Sequence, residues 1–255
     1  MKESYARLGV YLRAAGRVAI AFSGGFDSTF LLAAAAEFIP GNYVGVFVDT
    51  PMISERQRRN AQTVAASLNA PLVIMCLGWA DMPGVACNDC RRCYHCKRAI
   101  YETVRVVAAD RCCDLCVCGD NLDDLRVDRP GRKAVSELGI AKPLEELGIG
   151  RVEVEKKVKA LALGCVMIKD TCLSTRIPFG TPIGEKSMRA IESYEQAVRC
   201  ICGVQQVRFR LADDRARIQT APAEIPRLVA HESELVAYFG AKGIAVVLDR
   251  NGYRG

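Results

Sequence analysis

The chain has 255 residues, half of them apolar and a quarter charged, which suits one large domain or a medium domain with a small one. No stretch reaches the roughly 18 consecutive apolar residues that a transmembrane helix needs. The polar start does not resemble a signal peptide, so we expect a cytoplasmic protein without a membrane partner. The net charge of +6 is modest and spread along the chain. It does not indicate nucleic-acid binding and suits anionic small molecules equally well.

Strands and helices alternate from residue 17 to about residue 118. Apolar runs predict four strands, at 17–22, 43–49, 71–76 and 114–119. The segments between them predict helices at 28–38, 54–68 and 97–110, the second of which opens with a capping box of Ser54 and Gln57. Apolar strands that alternate with helices are typical of a parallel sheet covered on both faces. The sequence therefore predicts a doubly wound parallel α/β fold.

The pattern changes after residue 180. A helix is predicted at 187–201, a hairpin at 204–211 and 215–220, a helix at 224–240 and a last strand at 244–249. The predicted domains are therefore 1–180, with a cysteine-rich insert at 77–96, and 181–255, a smaller α+β domain. The irregular stretches 77–96 and 119–133 should lie near the carboxyl edge of the sheet, where open α/β sheets bind ligands.

The turn "SGGFDS" at 23–28 follows the first strand and opens the first helix of the α/β pattern. Gly24 and Gly25 let the backbone approach an anion, and the helix N-terminus points amides at it. Ser23 and Ser28 add hydroxyl donors, and Asp27 suits a phosphate site only if a cation such as Mg²⁺ intervenes. The alternative is a plain turn with Ser28 as the helix N-cap. The turn lacks the P-loop and dinucleotide-binding signatures.

The motif S-G-G-x-D-S resembles the PP-loop signature of ATP pyrophosphatases, which include GMP synthetase, NAD synthetase and tRNA-thiolating enzymes. The resemblance implies a PP-loop fold of the adenine nucleotide alpha hydrolase-like type. It also implies that the loop holds the pyrophosphate of ATP and that a substrate is adenylated with release of pyrophosphate. Asp49, at the end of the second strand, is where the superfamily often contacts adenosine.

Further segments resemble the LarE family of ATP-dependent sulfur transferases, over essentially the whole chain. They are "RCYHCK" at 92–97, "GDNLDDLRVDRPG" at 119–131, "CLSTRIPFGTPI" at 172–183, and the shorter "VRFR", "ARI" and "LDRNGYRG". The resemblance implies adenylation of a carboxylate of a nicotinate-derived mononucleotide, followed by sulfur transfer, in nickel-pincer cofactor synthesis. It also implies a homo-oligomer, a hexamer in LarE relatives.

The same resemblance implies that Arg208 and Arg210 hold the substrate's phosphate. Alternate residues of a strand share one face, so two guanidiniums can converge on one anion; two solvated strand arginines are the alternative. Arg176 and Arg129 are candidates for ATP or substrate phosphate, and Lys97 for the triphosphate. Asp124 is a candidate for a metal or ribose contact, or part of a polar loop.

Thirteen cysteines, an odd number without a secretion signal, favour metal binding or thiol chemistry over disulfides. Cys76 and Cys165, in apolar runs, are predicted to be buried core. One LarE subgroup sacrifices a cysteine five residues before the arginine of its "SSR" motif. Thr171 stands there, so a self-consuming mechanism is not expected.

The other subgroup pairs a cysteine at the Cys172 position with a C-x-x-C, here Cys93 and Cys96. The three thiolates suit a 4Fe–4S cluster that carries sulfide, obtained as free sulfide or from a sulfur-donor protein, to the adenylated carboxylate. Four cysteines, Cys87, Cys90, Cys93 and Cys96, are alternatively enough for a closed zinc site. The alternative functions are a PP-loop tRNA thiolase, and a zinc-binding PP-loop protein that lacks turnover or adenylates another substrate.

Overall fold

The computed structural model describes residues 2–126, 130–163, 167, 170–212 and 215–253. The chain forms two compact units. The first consists of Met1–Val85 and Cys90–Lys169, and the second of Ala86–Asp89 and Asp170–Gly255. The second unit thus begins before the predicted boundary near residue 180 and includes part of the predicted cysteine-rich insert.

The first unit contains a four-stranded parallel sheet. Its strands are β1 (Val18–Ala21), β2 (Tyr43–Asp49), β3 (Leu72–Cys76) and β4 (Leu115–Val117). They lie in the order β3-β2-β1-β4, and Val18 of β1 pairs with Tyr43 on one side and Leu115 on the other. The predicted parallel α/β architecture is confirmed, and the strand order is consistent with a Rossmann-like fold.

Seven α-helices are described in the first unit. They are α1 (Lys2–Ala14), α2 (Phe26–Phe38), α3 (Glu55–Ser67), α4 (Arg92–Asp110), α5 (Gly131–Glu137), α6 (Pro143–Glu146) and α7 (Arg151–Ala160). The capping box of α3 is confirmed, because the Ser54 hydroxyl accepts from the Gln57 amide and the Gln57 side chain accepts from the Ser54 amide. None of the helices that the structure describes combines the length and hydropathy that crossing a bilayer requires.

Helices cover both faces of the sheet. Alternate residues of a strand point to opposite faces. Val18 and Ile20 of β1 therefore pack against α1 and α2, whereas Ala19 packs against Val104 and Val107 of α4. Burial on both sides explains why the strands are apolar throughout rather than alternating with polar residues.

The edge strand β3 corrects one prediction. Cys76 is exposed, although its place at the end of an apolar run predicted core. β3 ends the sheet and, among the described strands, pairs with β2 alone, and Ile74 in its middle is also exposed. The prediction was wrong because apolarity alone does not distinguish an edge strand from a central one. Cys165 lies outside the described residues.

The second unit is built around a mixed three-stranded sheet. Its elements are α8 (Glu185–Cys202), β5 (Val207–Leu211), β6 (Ala216–Thr220), α9 (Ile225–Ala230), α10 (Glu232–Gly240) and β7 (Val246–Leu248). β5 and β6 form the predicted antiparallel hairpin, and β7 pairs parallel to β6. The single helix predicted at 224–240 is instead two helices separated by His231. The core contains Phe209 and Phe239, whose ring centroids lie 4.8 Å apart.

Ile20 tests how far the first unit depends on its central strand. Ile20→Ala should lower the free energy of unfolding by about 2–5 kcal/mol, because its fully buried side chain leaves a cavity. The control Val106→Ala removes an exposed side chain of α4 and should change it by less than about 0.5 kcal/mol. Urea unfolding followed by the fluorescence of Trp79, the single tryptophan, measures both. Equal losses would contradict the described packing.

Candidate functional site

A cavity of about 350 Å³ opens at the carboxyl edge of the parallel sheet. Residues at or just beyond the ends of three strands line it, among them Ser23 after β1, Val48 of β2, and Gly119 and Asp120 after β4. Open α/β sheets bind ligands at this edge, because the loops that leave neighbouring strands converge there. The cavity is therefore the candidate functional site of the first unit.

The glycine turn forms one wall of this cavity. Gly25 is the N-cap of α2, and no side chain of the described residues caps the helix, so the alternative with Ser28 as N-cap is wrong. The Ser23 and Ser28 hydroxyl oxygens lie 3.1 Å apart, and the Ser23 amide donates to Ser28 Oγ at 3.2 Å. Ser23, Gly25, Asp27 and Ser28 all line the cavity. A helix N-terminus of this kind attracts anions.

Gly24 holds the turn against α3. Its φ is +74°, and a Cβ built on it would lie 2.8 Å from Ala61 Cα. The Asn60 side chain also donates to the Gly24 carbonyl at 3.0 Å. Only glycine tolerates this combination of conformation and close backbone approach. Gly24 therefore fixes the turn, while its neighbours line the cavity.

A second glycine, Gly119, brings the loop after β4 against the first turn of α2. A Cβ on Gly119 would lie 2.9 Å from the Ser28 amide nitrogen and 3.0 Å from Asp27 Cβ. The backbone of one loop thus touches the backbone of the other. This contact places Asp120 in the wall of the same cavity as the glycine turn.

The cavity disfavours the ionised form of Asp27. Burial raises the pKa of Asp27, and the nearby Asp124 carboxylate raises it further. The Asn121 amide opposes this by donating to Asp27 Oδ1 at 2.8 Å, and the Arg151 guanidinium also lowers the pKa. A bound cation would stabilise the ionised form of this carboxylate, which burial disfavours. This chemistry fits the predicted Mg²⁺.

Lys97 enters the same cavity from α4. Its Nζ lies 3.4 Å from Asp120 Oδ1 and 5.9 Å from the centroid of the buried Tyr101 ring. Its stem runs over Gly131, where a Cβ would come within 2.6 Å of Lys97 Cδ. The other oxygen of Asp120 is buried and has no hydrogen-bond partner among the described residues. The structure thus brings the predicted Lys97 together with the glycine turn.

The predicted cysteines fall in different units. Helix α4 begins five residues earlier than predicted, so Cys93 and Cys96 lie on its first turns at a spacing that puts both on one face. Both are half-buried, which suits two thiolate ligands of one metal. Cys172 belongs to the second unit, where it is the N-cap of the 3₁₀ helix Leu173–Arg176 and its Sγ lies 3.0 Å from Ser174 Oγ.

The fit of these residues to a metal is incomplete. Among the residues that the structure describes, no three His, Cys, Asp or Glu side chains are arranged to hold a metal ion. The three-cysteine cluster, the four-cysteine zinc site and the Mg²⁺ site therefore all stay predictions. Of the predicted cluster ligands, Cys93 and Cys96 lie on one helix face of the first unit.

Asp49 and Arg129 complete the predicted residues of the first unit. Asp49 ends β2, where Arg58 of α3 donates to both of its carboxylate oxygens, at 2.6 and 3.0 Å. Asp49 is not among the residues that line the cavity, and its carboxylate is occupied by this ion pair. Arg129 lies outside the described residues.

Two arginines of β5 stand out in the second unit, Arg208, which is buried, and Arg210, which is half-buried. Arg208 is only 3% exposed, its guanidinium lies 3.2 Å from the centroid of the Tyr253 ring, and its Nε has no partner among the described residues. Arg210 donates to the Thr175 carbonyl at 3.0 Å and to Gln219 at 2.6 Å. Burial lowers the pKa of both, and the charge of Arg176 lowers it further. Desolvated cations of this kind would gain from a bound anion.

Arg176 is the third predicted phosphate ligand in the second unit, and its charge is paired. It is 1% exposed, and it forms ion pairs with Asp170 at 2.8 Å and with Glu195 at 2.7 Å. Two carboxylates thus already compensate its charge. Arg176 differs in this from Arg208, which forms no ion pair described in this unit.

Several cavity residues were not predicted. Arg151, Tyr101 and Cys118 line the cavity, and Asn121 holds Asp27. Burial raises the pKa of Cys118 to about 11, so it is a neutral thiol at pH 7. Local signals existed for Gly119, directly after an apolar strand, and for Asn121, within the family-like segment 119–131. The others come from separate segments that meet only when the sheet forms.

The fold and the cavity define an α/β protein whose glycine turn lines a cavity at the carboxyl edge of a parallel sheet. No family model matches the chain. It is 32% identical over 242 residues to the uncharacterized protein slr1717 of Synechocystis sp., covering 93% of this chain and 90% of that protein. It is 30% identical over 217 residues to the uncharacterized protein MJ0830 of Methanocaldococcus jannaschii, covering 82% and 83%. The chain therefore belongs to the same protein family as slr1717 and MJ0830.

A third relative has a named activity. The chain is 26% identical over 241 residues to pyridinium-3,5-bisthiocarboxylic acid mononucleotide synthase of Lactiplantibacillus plantarum. The alignment covers 93% of this chain and 87% of that enzyme, so it spans both units. The similarity is consistent with the LarE-like character predicted from the motifs.

Asp27 and Asp249 should respond to pH in opposite directions. The folded-state pKa of Asp27 is raised, so its contribution to stability is present at low pH and lost as pH rises through that pKa. Asp27→Asn should therefore raise the thermal midpoint near pH 7 by a few degrees, less at acidic pH. The hydrogen bond from Gln219 lowers the pKa of Asp249, so Asp249→Asn should lower the midpoint near pH 7. Thermal unfolding between about pH 2 and about pH 8, which extends to both sides of the ordinary carboxyl pKa near 4, measures both. A loss of stability near pH 7 in Asp27→Asn would contradict a destabilising ionised Asp27.

Gly119 tests the contact between the two loops. Gly119→Ala should lower the free energy of unfolding by about 1–3 kcal/mol, because the new methyl group meets backbone that cannot move aside easily. Gly240→Ala, at a helical glycine with open space around it, is the matched control and should be neutral or slightly stabilising. Chemical denaturation measures both variants. A neutral Gly119→Ala would show that the loops are not in contact.

Proposed function

We propose that this protein is an ATP-dependent sulfur transferase that adenylates a carboxylate of a small nucleotide and replaces the AMP by sulfur. One observation carries the proposal: the glycine turn and Lys97 line the same cavity, and Lys97 directly follows Cys96 on α4. An anion site and a thiol pair are thus joined through a single helix. The full-length similarity to pyridinium-3,5-bisthiocarboxylic acid mononucleotide synthase supports this function.

In the proposed ATP site, the parallel sheet is of the PP-loop type and the turn after β1 holds the pyrophosphate. Ser23, Gly24, Gly25, Asp27 and Ser28 supply the turn, with Mg²⁺ at Asp27. Lys97 neutralises charge on the triphosphate by leaving Asp120, its only described ion-pair partner. Asp49 would contact adenosine only by leaving Arg58, and Arg129 stays a predicted ATP ligand. Positive charge and amides aimed at phosphoryl oxygens favour displacement at the α-phosphorus.

The proposed substrate is a nicotinate-derived mononucleotide whose phosphate binds Arg208 and Arg210. An oxygen of its carboxylate attacks the α-phosphorus of ATP, so that an acyl-adenylate forms and pyrophosphate leaves. Hydrosulfide then attacks the acyl carbon, AMP leaves with the C–O electron pair, and a thiocarboxylate remains. Burial deprives the Arg208 and Arg210 guanidiniums of interactions with water. A bound phosphate would replace these interactions with charged hydrogen bonds, which supports the phosphate assignment.

We propose Cys93, Cys96 and Cys172 as the thiolate ligands of a 4Fe–4S cluster. When bound, such a cluster supplies an iron site that holds an extra sulfide. Thr171 supports a sulfur source outside the protein, because a threonine at that position cannot give up sulfur. The sulfur then comes from free sulfide or from a donor protein, and the enzyme is a proposed homo-oligomer.

Release of pyrophosphate tests the adenylation half. The protein should release pyrophosphate from ATP when nicotinic acid mononucleotide, or its 5-carboxylated form, is added. Lys97→Met should slow this release about 10²-fold, because a preorganised charge on the phosphates is lost. The control Lys133→Met alters an exposed lysine of α5 and should leave the rate within about twofold. Release that depends on tRNA would instead support the tRNA thiolase.

Metal analysis of protein purified without oxygen tests the sulfur half. The protein should contain iron and acid-labile sulfide, and Cys96→Ala or Cys172→Ala should lose both together with thiocarboxylate formation. Pyrophosphate release should continue, because adenylation needs ATP and the substrate's carboxylate but no cysteine. Cys200→Ala, at an exposed cysteine of α8, is the control. Zinc as the sole metal, or an intact cluster and full activity in Cys172→Ala, would contradict the proposed sulfur source.

A further inference from the structure

The short segment that carries Cys172 is folded around one guanidinium, that of Arg176. Arg176 Nη1 donates to Thr171 Oγ1 at 2.6 Å and to Thr175 Oγ1 at 2.9 Å. The same nitrogen lies 3.2 Å from the Thr171 carbonyl oxygen and 3.5 Å from that of Cys172. The residues on both sides of Cys172, and Cys172 itself, thus share one donor group.

The other side of the guanidinium is anchored to α8. Nε of Arg176 donates to Glu195 Oε1 at 2.7 Å, and Nη2 donates to Asp170 Oδ1 at 2.8 Å. Glu195 also accepts from the Phe209 amide of β5 at 3.1 Å and from Arg199 at 3.1 Å. The segment is therefore tied to a helix and a strand of its own unit through a buried carboxylate.

We infer that Arg176 is a positioning residue that fixes the Cys172 segment for sulfur transfer, rather than a ligand of the substrate's phosphate. All three guanidinium nitrogens already donate to groups of the same unit, and two carboxylates balance the charge. A phosphate would have to displace these acceptors. The inference rests on the proposed function only for the identity of the reaction that Cys172 serves.

The local backbone shows what the guanidinium holds in place. The Thr175 amide donates to the Cys172 carbonyl at 3.1 Å, the Ile177 amide to the Ser174 carbonyl at 3.3 Å, and Cys172 Sγ contacts the Ser174 hydroxyl. A guanidinium directs its donors in fixed directions within one plane, whereas a lysine ammonium is a compact charge with fewer donors on a flexible stem. The arrangement sets the direction of the thiol through the backbone, because the described hydrogen bonds of Arg176 in this segment go to backbone carbonyls, threonine hydroxyls and Asp170.

Arg176→Lys tests this role against Arg199→Lys, which also removes a guanidinium from Glu195 but has no described hydrogen bond or ion pair with residues 170–175. In Arg176→Lys, hydrogen exchange of a peptide covering 170–178 should accelerate at least about tenfold, with other peptides of the second unit unchanged. Thiocarboxylate formation should fall at least about tenfold, because the sulfur-delivering group is misplaced. KM for the mononucleotide and pyrophosphate release should stay within about twofold, as should every readout in Arg199→Lys.

Two results would overturn the inference. A higher KM and slower pyrophosphate release, with unchanged exchange at 170–178, would make Arg176 a substrate ligand. Faster exchange throughout the second unit would make its role merely structural. If Arg176→Lys does not fold, Thr171→Val removes a single acceptor and should give the same local pattern more weakly. If the unaltered protein neither releases pyrophosphate nor forms thiocarboxylate, the proposed function fails, while the exchange experiment still decides whether Arg176 holds the segment.

Discussion

Close approach of backbone to backbone at the first turn of α2 is the constraint on which the candidate site depends. Gly24 lies against Ala61 on one side, and Gly119 lies against Asp27 and Ser28 on the other. A side chain at either position would separate the loops that form the cavity. Because two glycines remove this obstacle, an uncapped helix N-terminus, a lysine and several carboxylates line one small space.

Each unit holds charge that its own residues do not fully satisfy. In the first unit, burial and Asp124 work against the ionised form of Asp27. In the second, burial and Arg176 work against the charged forms of Arg208 and Arg210. Such charges lower the stability of the free protein, and a bound ligand of opposite charge would offset this loss. A cation with a polyphosphate suits the first set, and a phosphate monoester suits the second.

Arg176 and Arg208 show that burial alone does not reveal a binding residue. Both guanidiniums are almost fully buried in the same unit. Arg176 has two carboxylates and several oxygen acceptors, whereas Arg208 faces an aromatic ring and its Nε has no hydrogen-bond partner among the described residues. The state of its hydrogen bonds, and not its depth, indicates which arginine is available to an anion. The sequence motifs alone predict both arginines as phosphate ligands.

The sequence by itself determined the parallel α/β unit, the hairpin of the small unit, the glycine turn and the Ser54 capping box. These follow from local rules: apolar periodicity, turn residues and caps act over a few neighbouring positions. Only the tertiary structure decided that β3 is an edge strand with Cys76 exposed, that Asn121 and Gly119 meet Asp27, and that Arg58 occupies Asp49. It alone showed that Arg176 is paired with Asp170 and Glu195. Each of these depends on distant segments brought together by packing, and no local pattern records which partner a buried charge will meet.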